Sequence, residues 1–134
     1  MIYVDTSVVV SYLTGDDPVQ TPAAMAIIET QATRAISIVS ILEASHVLRT
    51  AYLYDRRNVA SALVDLISRR NIVVAEFAKE HVFRWLEVWR EGSAGSPGDA
   101  LIAASMSAHD AEAIATFDTG FPKAGWTVLS TPQP

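Results

Sequence analysis

The chain has 134 residues, half of them hydrophobic, and a formal net charge of −5. This length suits one domain with one core, which we place over residues 1–134. The absence of cysteine excludes a disulfide framework and a thiolate metal site. No stretch approaches the ~20 uninterrupted apolar residues of a membrane helix, and no basic leader precedes the first apolar run. We therefore expect a soluble, cytoplasmic protein with no membrane partner.

The first half of the chain alternates short and long apolar segments. Short runs at 2–5 and 35–38 predict buried strands. Longer segments predict helices over residues 6–13, 21–32 and 40–54. The last of these begins at Ser40, a residue type that favours the cap position of a helix.

The second half continues this alternation. Strands are predicted at 72–75, 113–116 and 126–129, and helices at 58–70, 78–91 and 99–109. The Gly/Ser-rich segment 92–98 is the strongest loop signal. Strands that alternate with helices indicate βαβ units. The predicted fold is therefore α/β, a three-layer α/β/α domain with a mainly parallel central sheet of four to five strands.

Four acidic residues stand beside the ends of predicted strands or in the first turns of predicted helices: Asp5, Glu43, Asp99 and Asp118. Ligands of parallel sheets bind outside the carboxyl ends of the strands, so we expect all four at one edge. A cluster of carboxylate oxygens suits Mg²⁺ or Mn²⁺ rather than zinc. Metal-assisted cleavage of a phosphodiester is the chemistry that such a cluster serves best.

Each acid alone also has a structural interpretation. Asp5 could cap the first helix, and Glu43 stands three residues after Ser40, as in a capping box. Asp99 suits the N-terminal end of a helix dipole, and Asp118 could form an Asx-type turn. Capping and catalysis are compatible, so both interpretations stay open for each residue. The presence of all four together favours a site.

The segments around these acids resemble the four motifs of PIN-domain ribonucleases, in order and with similar spacing. They are Val4-Asp-Thr-Ser, Ser40-Ile-Leu-Glu, Asp99-Ala-Leu-Ile-Ala-Ala and Ala115-Thr-Phe-Asp. The resemblance covers essentially the whole chain. The compact size and the Asp-Thr-Ser sequence look most like VapC-type toxins of toxin–antitoxin pairs.

This resemblance implies that Asp5 and Asp99 ligate Mg²⁺, with Mn²⁺ as a substitute. It implies that Glu43 and Asp118 join them, directly or through water. The reaction implied is in-line attack of a metal-activated water on an RNA phosphodiester, which leaves a 5′-phosphate and a 3′-hydroxyl. The partners implied are an RNA substrate, a small cognate antitoxin, and a second copy of the chain in a homodimer or a larger complex.

Three hydroxyl side chains would support these carboxylates. By the same resemblance, Ser7 and Thr116 would hold them by hydrogen bonds, and Thr6 is a weaker candidate for this role. Some relatives carry a further acid directly after the fourth motif, where this chain has Thr119 and Gly120. A second metal is therefore expected to bind weakly.

Two other classes of function stay open. An Asp-based phosphatase or phosphoryl-transfer enzyme also places an Asp after its first strand. The phosphatases need a second acid two residues later, where Ser7 stands, and both types need a late lysine, for which only Lys79 and Lys123 exist. A non-catalytic PIN-fold binding module would keep the acids as caps. The aromatic residues Trp85 and Trp89 have helical spacing, which favours a core or interface over base stacking.

Overall fold

The computed structural model describes residues 1–76, 78–94 and 96–130. Its strands are β1 (Ile2–Val4), β2 (Arg34–Ser37), β3 (Ile72–Ala75), β4 (Ala113–Ala115) and β5 (Thr127–Leu129). Its helices are α1 (Thr6–Thr14), α2 (Gln20–Ile28), α3 (Ile38–Thr50), α4 (Arg56–Ile67), α5 (Lys79–Arg90) and α6 (Pro97–Ala108). The strands form one sheet in the order β3-β2-β1-β4-β5, and every neighbouring pair is parallel.

Alternate residues of the strands supply two separate hydrophobic layers. Val4 of β1 packs in a cluster with apolar residues of α1, α2, α3 and α4. Tyr3 belongs to the cluster on the other side, with Ile102 and Met106 of α6. Helix α5 covers α6 through the buried Trp85. The predicted three-layer α/β/α architecture with a parallel sheet is confirmed.

The order of the strands creates a switch point at the centre of the sheet. Strands β2 and β3 extend from one side of β1, whereas β4 and β5 extend from the other. Beyond the end of β1, the amide of Asp5 still donates to the carbonyl of Ala115 at 2.9 Å. The connections leave in opposite directions from β1 and β4, so a crevice opens between their carboxyl ends.

The start of α3 differs from the sequence prediction. The cap is Ser37, whose hydroxyl accepts from the amide of Val39 at 3.1 Å. Ser40 is fully buried inside the helix, and its hydroxyl has no hydrogen-bond partner among the described residues. The predicted capping box with Glu43 was therefore wrong, and Glu43 lies one turn deeper. Ile38, a β-branched residue of a type common in strands, was predicted to end the second strand, but β2 ends at Ser37 and Ile38 is the first residue of α3.

Other helix ends shift by a few residues. Helix α4 is capped by Asp55, whose carboxylate accepts from the amide of Asn58 at 2.8 Å, whereas Asn58 itself was the predicted cap. Helix α2 ends at Ile28, four residues before the predicted end. Helix α6 begins at Pro97, because Ser96 caps it by accepting from the amide of Asp99 at 3.0 Å.

Of the helices in the described part of the chain, none is both long and apolar enough to cross a membrane.

Candidate active site

A cleft of about 700 Å³ opens at the carboxyl edge of the sheet, between β1, β4 and the helices α1, α3 and α6. Its acidic lining residues are Asp5, Asp16, Asp17, Glu43, Asp99 and Asp118. The structure thus brings the four acids singled out from the sequence to one cleft. Among the described residues, no lysine or arginine lines it.

Asp5 lies directly after β1 and is 4% exposed. It occupies the N-cap position of α1, but its side chain makes no capping hydrogen bond. Its Oδ2 instead accepts from the Thr116 hydroxyl at 2.6 Å. Burial raises the pKa of Asp5, an effect that this hydrogen bond opposes. The side chain is thus held by the segment after β4 rather than used to cap its own helix.

Thr116 is the centre of the polar contacts at the end of β4. Its hydroxyl oxygen also accepts from the amide of Asp118 at 3.0 Å and lies 3.4 Å from the Ser7 hydroxyl. The Ser7 hydroxyl in turn accepts from the amide of Phe117 at 3.1 Å. Ser7 therefore reaches Asp5 only through Thr116, and together the two hydroxyls fix the chain between β4 and Asp118.

Glu43 contacts two other parts of the cleft wall. Its Oε1 accepts from the Thr6 hydroxyl at 2.7 Å, a contact between residues 37 positions apart. On its other side it lies against the backbone of Gly98 in the first turn of α6. A Cβ at that position would lie 2.8 Å from Cδ of Glu43 and would overlap Oε2. Only glycine leaves room for this carboxylate where the structure places it.

Asp99 is the third residue of α6 and is held at the cleft by the cap at Ser96. Its pKa is raised to about 7, chiefly by partial burial and then by repulsion from Asp5, Asp118 and Glu43. The Ser96 hydrogen bond opposes this rise. The part of this rise that comes from the three neighbouring carboxylates means that ionising all four without a neutralising cation is costly.

Asp118 follows β4 and keeps the turn predicted for it. Its Oδ1 accepts from the amide of Gly120 at 2.8 Å, which closes an Asx-type turn. The residue still lines the cleft. For Asp118 the predicted turn is therefore compatible with a place in the candidate site.

The donor set suits a hard divalent cation, although the carboxylates are spread around the cleft. In residues 1–76, 78–94 and 96–130, no three metal-ligating side chains converge on one point as they stand. The carboxylates repel one another, and those of Asp5, Glu43 and Asp118 each accept a hydrogen bond from an uncharged donor instead. Mg²⁺ commonly uses one or two carboxylates and keeps several waters, so this arrangement fits it without three direct protein ligands.

One end of the cleft, which we call the outer end, was not predicted from the sequence. Asp16, Asp17 and Tyr52 line it, as does Gln20 at the start of α2. The segment 14–18 reads only as a turn, and Tyr52 was predicted to lie inside a helix. The one feature of the sequence that could have indicated this part of the cleft is the pair Asp16 and Asp17, which stands in the turn directly after α1.

Comparisons with known proteins give the family. A model of the PIN domain matches residues 2–126, and no curated protein matches the chain. The toxin VapC20 of Mycobacterium tuberculosis, which cleaves the sarcin-ricin loop, superimposes with a TM-score of 0.75 at 18% identity, over 90% of this chain and 92% of that one.

Two further solved structures are also similar in fold. VapBC2 from Rickettsia felis, bound to a fragment of promoter DNA, gives a TM-score of 0.66 at 18% identity, over 96% of this chain and 97% of that one. FitAcB from Neisseria gonorrhoeae gives a TM-score of 0.64 at 20% identity, over 97% of this chain and 97% of that one. Identities this low show a shared fold, and the family match covers nearly the whole sequence. This chain belongs to the PIN domain family.

Proposed function

We propose that this chain is a divalent-metal-dependent endoribonuclease and the toxin of a type II toxin–antitoxin pair. The observation that carries the proposal is that four carboxylates from four separate segments line one cleft, which no lysine or arginine among the described residues lines. The similarity in fold to a toxin that cleaves the sarcin-ricin loop supports it. RNA is therefore the substrate that we propose.

In this proposal Asp5 and Asp99 hold Mg²⁺, or Mn²⁺ in its place, and Glu43 and Asp118 complete the site directly or through water. When bound, the cation would supply a nucleophilic water near neutral pH and offset negative charge on the phosphate. The chain's own part is to hold the carboxylates in place. Thr116 fixes Asp5 by its hydroxyl group.

Protonation of Asp99 would compete with the cation. A carboxyl whose pKa is about 7 is partly protonated at neutral pH, and a ligand must lose its proton before it coordinates a metal. Metal affinity should therefore rise as the pH increases through about 7. Thr6 would support the site as Thr116 does, because its hydroxyl group holds the Glu43 carboxylate beside Gly98.

The proposed protein partners are a small cognate antitoxin and a second copy of the chain. The similar structure VapBC2 is bound to a DNA fragment from its promoter. This chain exposes apolar residues that such partners could cover. They include Ile38 and Leu42 of α3 and Phe83, Leu86 and Trp89 of α5.

Cleavage of an RNA panel tests the enzymatic proposal. The protein is assayed with Mg²⁺, with Mn²⁺ and with EDTA, beside Asp5→Asn and Asp99→Asn. Asp65→Asn is a matched control, because Asp65 is exposed on α4 and does not line the cleft. We expect EDTA and both cleft substitutions to lower cleavage by at least ~100-fold, and the control to keep it. Equal cleavage by all variants would indicate a contaminating nuclease and refute the assignment.

Thermal denaturation separates the enzyme from a non-catalytic module. A specific site is stabilised when its ligand binds only the folded state. Mg²⁺ should therefore raise the Tm of the wild type and of Asp65→Asn but not that of Asp5→Asn. An aspartyl-phosphate enzyme is disfavoured because, among the described residues, no lysine lines the cleft.

A further inference from the structure

Tyr52 is the one aromatic residue among the described residues that line the acidic cleft. It lies in the turn after α3 and is 36% exposed. The ring of Tyr54 packs against it edge-on, with centroids 6.3 Å apart and planes at 74°. The nearby Asp16 carboxylate raises the pKa of the Tyr52 hydroxyl. The ring therefore packs against Tyr54 on one side, while part of it stays open to the cleft.

The cleft joins Tyr52 to the carboxylates. Glu43, Val47 and Tyr52 follow one another along the α3 side of the cleft wall. At a rise of ~1.5 Å per residue, the seven positions of α3 from Glu43 to Thr50 span about 10 Å, and Tyr52 lies two residues further along the chain. Stacked nucleotides advance by about 3.4 Å each. The distance therefore corresponds to a few nucleotides of a single strand.

Charge decides which part of an RNA can be held at this end of the cleft. Asp16 and Asp17 line it, and no lysine or arginine among the described residues does. Phosphate groups are repelled there, whereas a base carries no charge and has a face that stacks on aromatic rings. The contact that the outer end offers is therefore to a base.

We propose that Tyr52 is a positioning residue that stacks on a base a few nucleotides from the scissile phosphate. This inference rests on the proposed ribonuclease activity and concerns how the active site selects the phosphodiester that it cleaves. Stacking at a fixed distance from Asp5 and Asp99 sets the register of the strand, so the base at that position helps to decide which phosphodiester lies at the carboxylates.

The test uses a 20-nucleotide RNA that spans a site cut by the wild type, and a series in which each nucleotide in turn lacks its base. For the wild type, one abasic position within about four nucleotides of the cut should lower kcat/KM roughly tenfold, within the 5- to 150-fold range of single-base stacking. Tyr52→Ala should lower kcat/KM on the intact RNA by a similar factor and lose nothing further on that abasic RNA. Tyr52→Phe should behave as the wild type.

Two controls separate stacking from a structural role. Trp89→Ala removes another exposed aromatic residue, outside the cleft, and should keep the full abasic penalty. Tyr52→Leu keeps apolar packing against Tyr54 but removes the aromatic face, and should behave as Tyr52→Ala. The fluorescence of 2-aminopurine at the identified position should be quenched by the wild type and by Tyr52→Phe, and not by Tyr52→Leu.

Three results would overturn the inference. If Tyr52→Ala and Tyr52→Leu cut the intact RNA as fast as the wild type, or keep its abasic penalty, Tyr52 does not position the RNA, although the ribonuclease proposal stands. If 2-aminopurine is quenched equally by Tyr52→Leu, the ring does not stack on that base. If the wild type cuts no RNA with any divalent metal, the ribonuclease proposal fails and this inference fails with it.

Discussion

Replacing Gly98 with alanine tests whether α3 and α6 hold the Glu43 carboxylate as tightly as the structure indicates. The new Cβ would lie 2.8 Å from Cδ and 3.2 Å from Oε1 of Glu43, and would overlap Oε2. A carboxylate cannot share that space with a methyl group. Glu43 must therefore move away from α6, and its hydrogen bond with Thr6, 2.7 Å long, must lengthen or break.

Two opposing terms set the effect on stability. Gly98 is in the first turn of α6 and does not have a positive φ, so alanine favours the helix by ~0.5–1 kcal/mol. Loss of the Thr6–Glu43 hydrogen bond costs about 1–1.5 kcal/mol. The free energy of unfolding should therefore change by less than about 1 kcal/mol. A displaced carboxylate should lower kcat/KM by roughly 10- to 100-fold, as loss of a supporting contact does at metal sites.

Urea denaturation followed by circular dichroism, together with RNA cleavage, measures both effects. The matched background is Glu43→Ala, which removes the three atoms that would lie nearest to the new Cβ. There, Gly98→Ala should stabilise the protein by the full ~0.5–1 kcal/mol, so the two substitutions are coupled. Equal stabilisation in both backgrounds, with unchanged cleavage by the single variant, would show that Glu43 does not lie against Gly98.

Three further predictions follow from the pKa of one carboxyl, one hydrogen bond and one packed ring. In EDTA the free energy of unfolding should fall as pH rises from about 4 to 7, because over this range folded Asp99 keeps a proton that the unfolded chain, with a pKa of 3.8, has lost. After allowance for solvent screening, Asp99→Asn should remove ~1–2 kcal/mol of this change between pH 4 and pH 8, as measured by urea denaturation. Thr116→Val should lower the free energy of unfolding by about 1–3 kcal/mol, because Asp5 loses its buried donor. Thr116→Ser keeps the hydroxyl group and should restore most of the lost stability. Equal stability of the two variants would contradict the proposed role of this hydrogen bond. Trp85→Ala should cost ~3–5 kcal/mol, because Trp85 is 4% exposed, whereas Trp89→Ala should cost less than about 1 kcal/mol, as urea denaturation would show.

The sheet and two of the acids were predictable because local sequence determines them. A short apolar run such as Ile2–Val4 has too few residues for a buried helix, and alternation with helical segments forces parallel strands. Parallel strands place their carboxyl ends at one edge, so Asp5 and Asp118 had to approach one another. Glu43 and Asp99 were also expected at this edge, in the first turns of predicted helices, but their exact positions depend on where those helices begin.

The remaining features depend on contacts between distant residues, which no local pattern encodes. The predicted start of α3 was wrong because Ser37 and Ser40 are the same residue type and are equally suited to the cap position. Only the burial of β2 in the sheet decides between them. The support of Glu43 by Thr6 and Gly98 joins three helices. Tyr52 reaches the cleft only because the turn after α3 lies beside the turn after α1.

The distribution of charge explains how an acidic protein can act on RNA. Six of the fifteen acidic residues line the one cleft, so the other nine nearly balance the ten lysines and arginines. The rest of the surface is therefore close to neutral and offers little long-range attraction for a polyanion. The cleft itself repels phosphate until a cation neutralises it. On this account a divalent cation is needed for the RNA to bind as well as for its cleavage, and uncharged contacts such as the one proposed for Tyr52 must supply much of the selectivity.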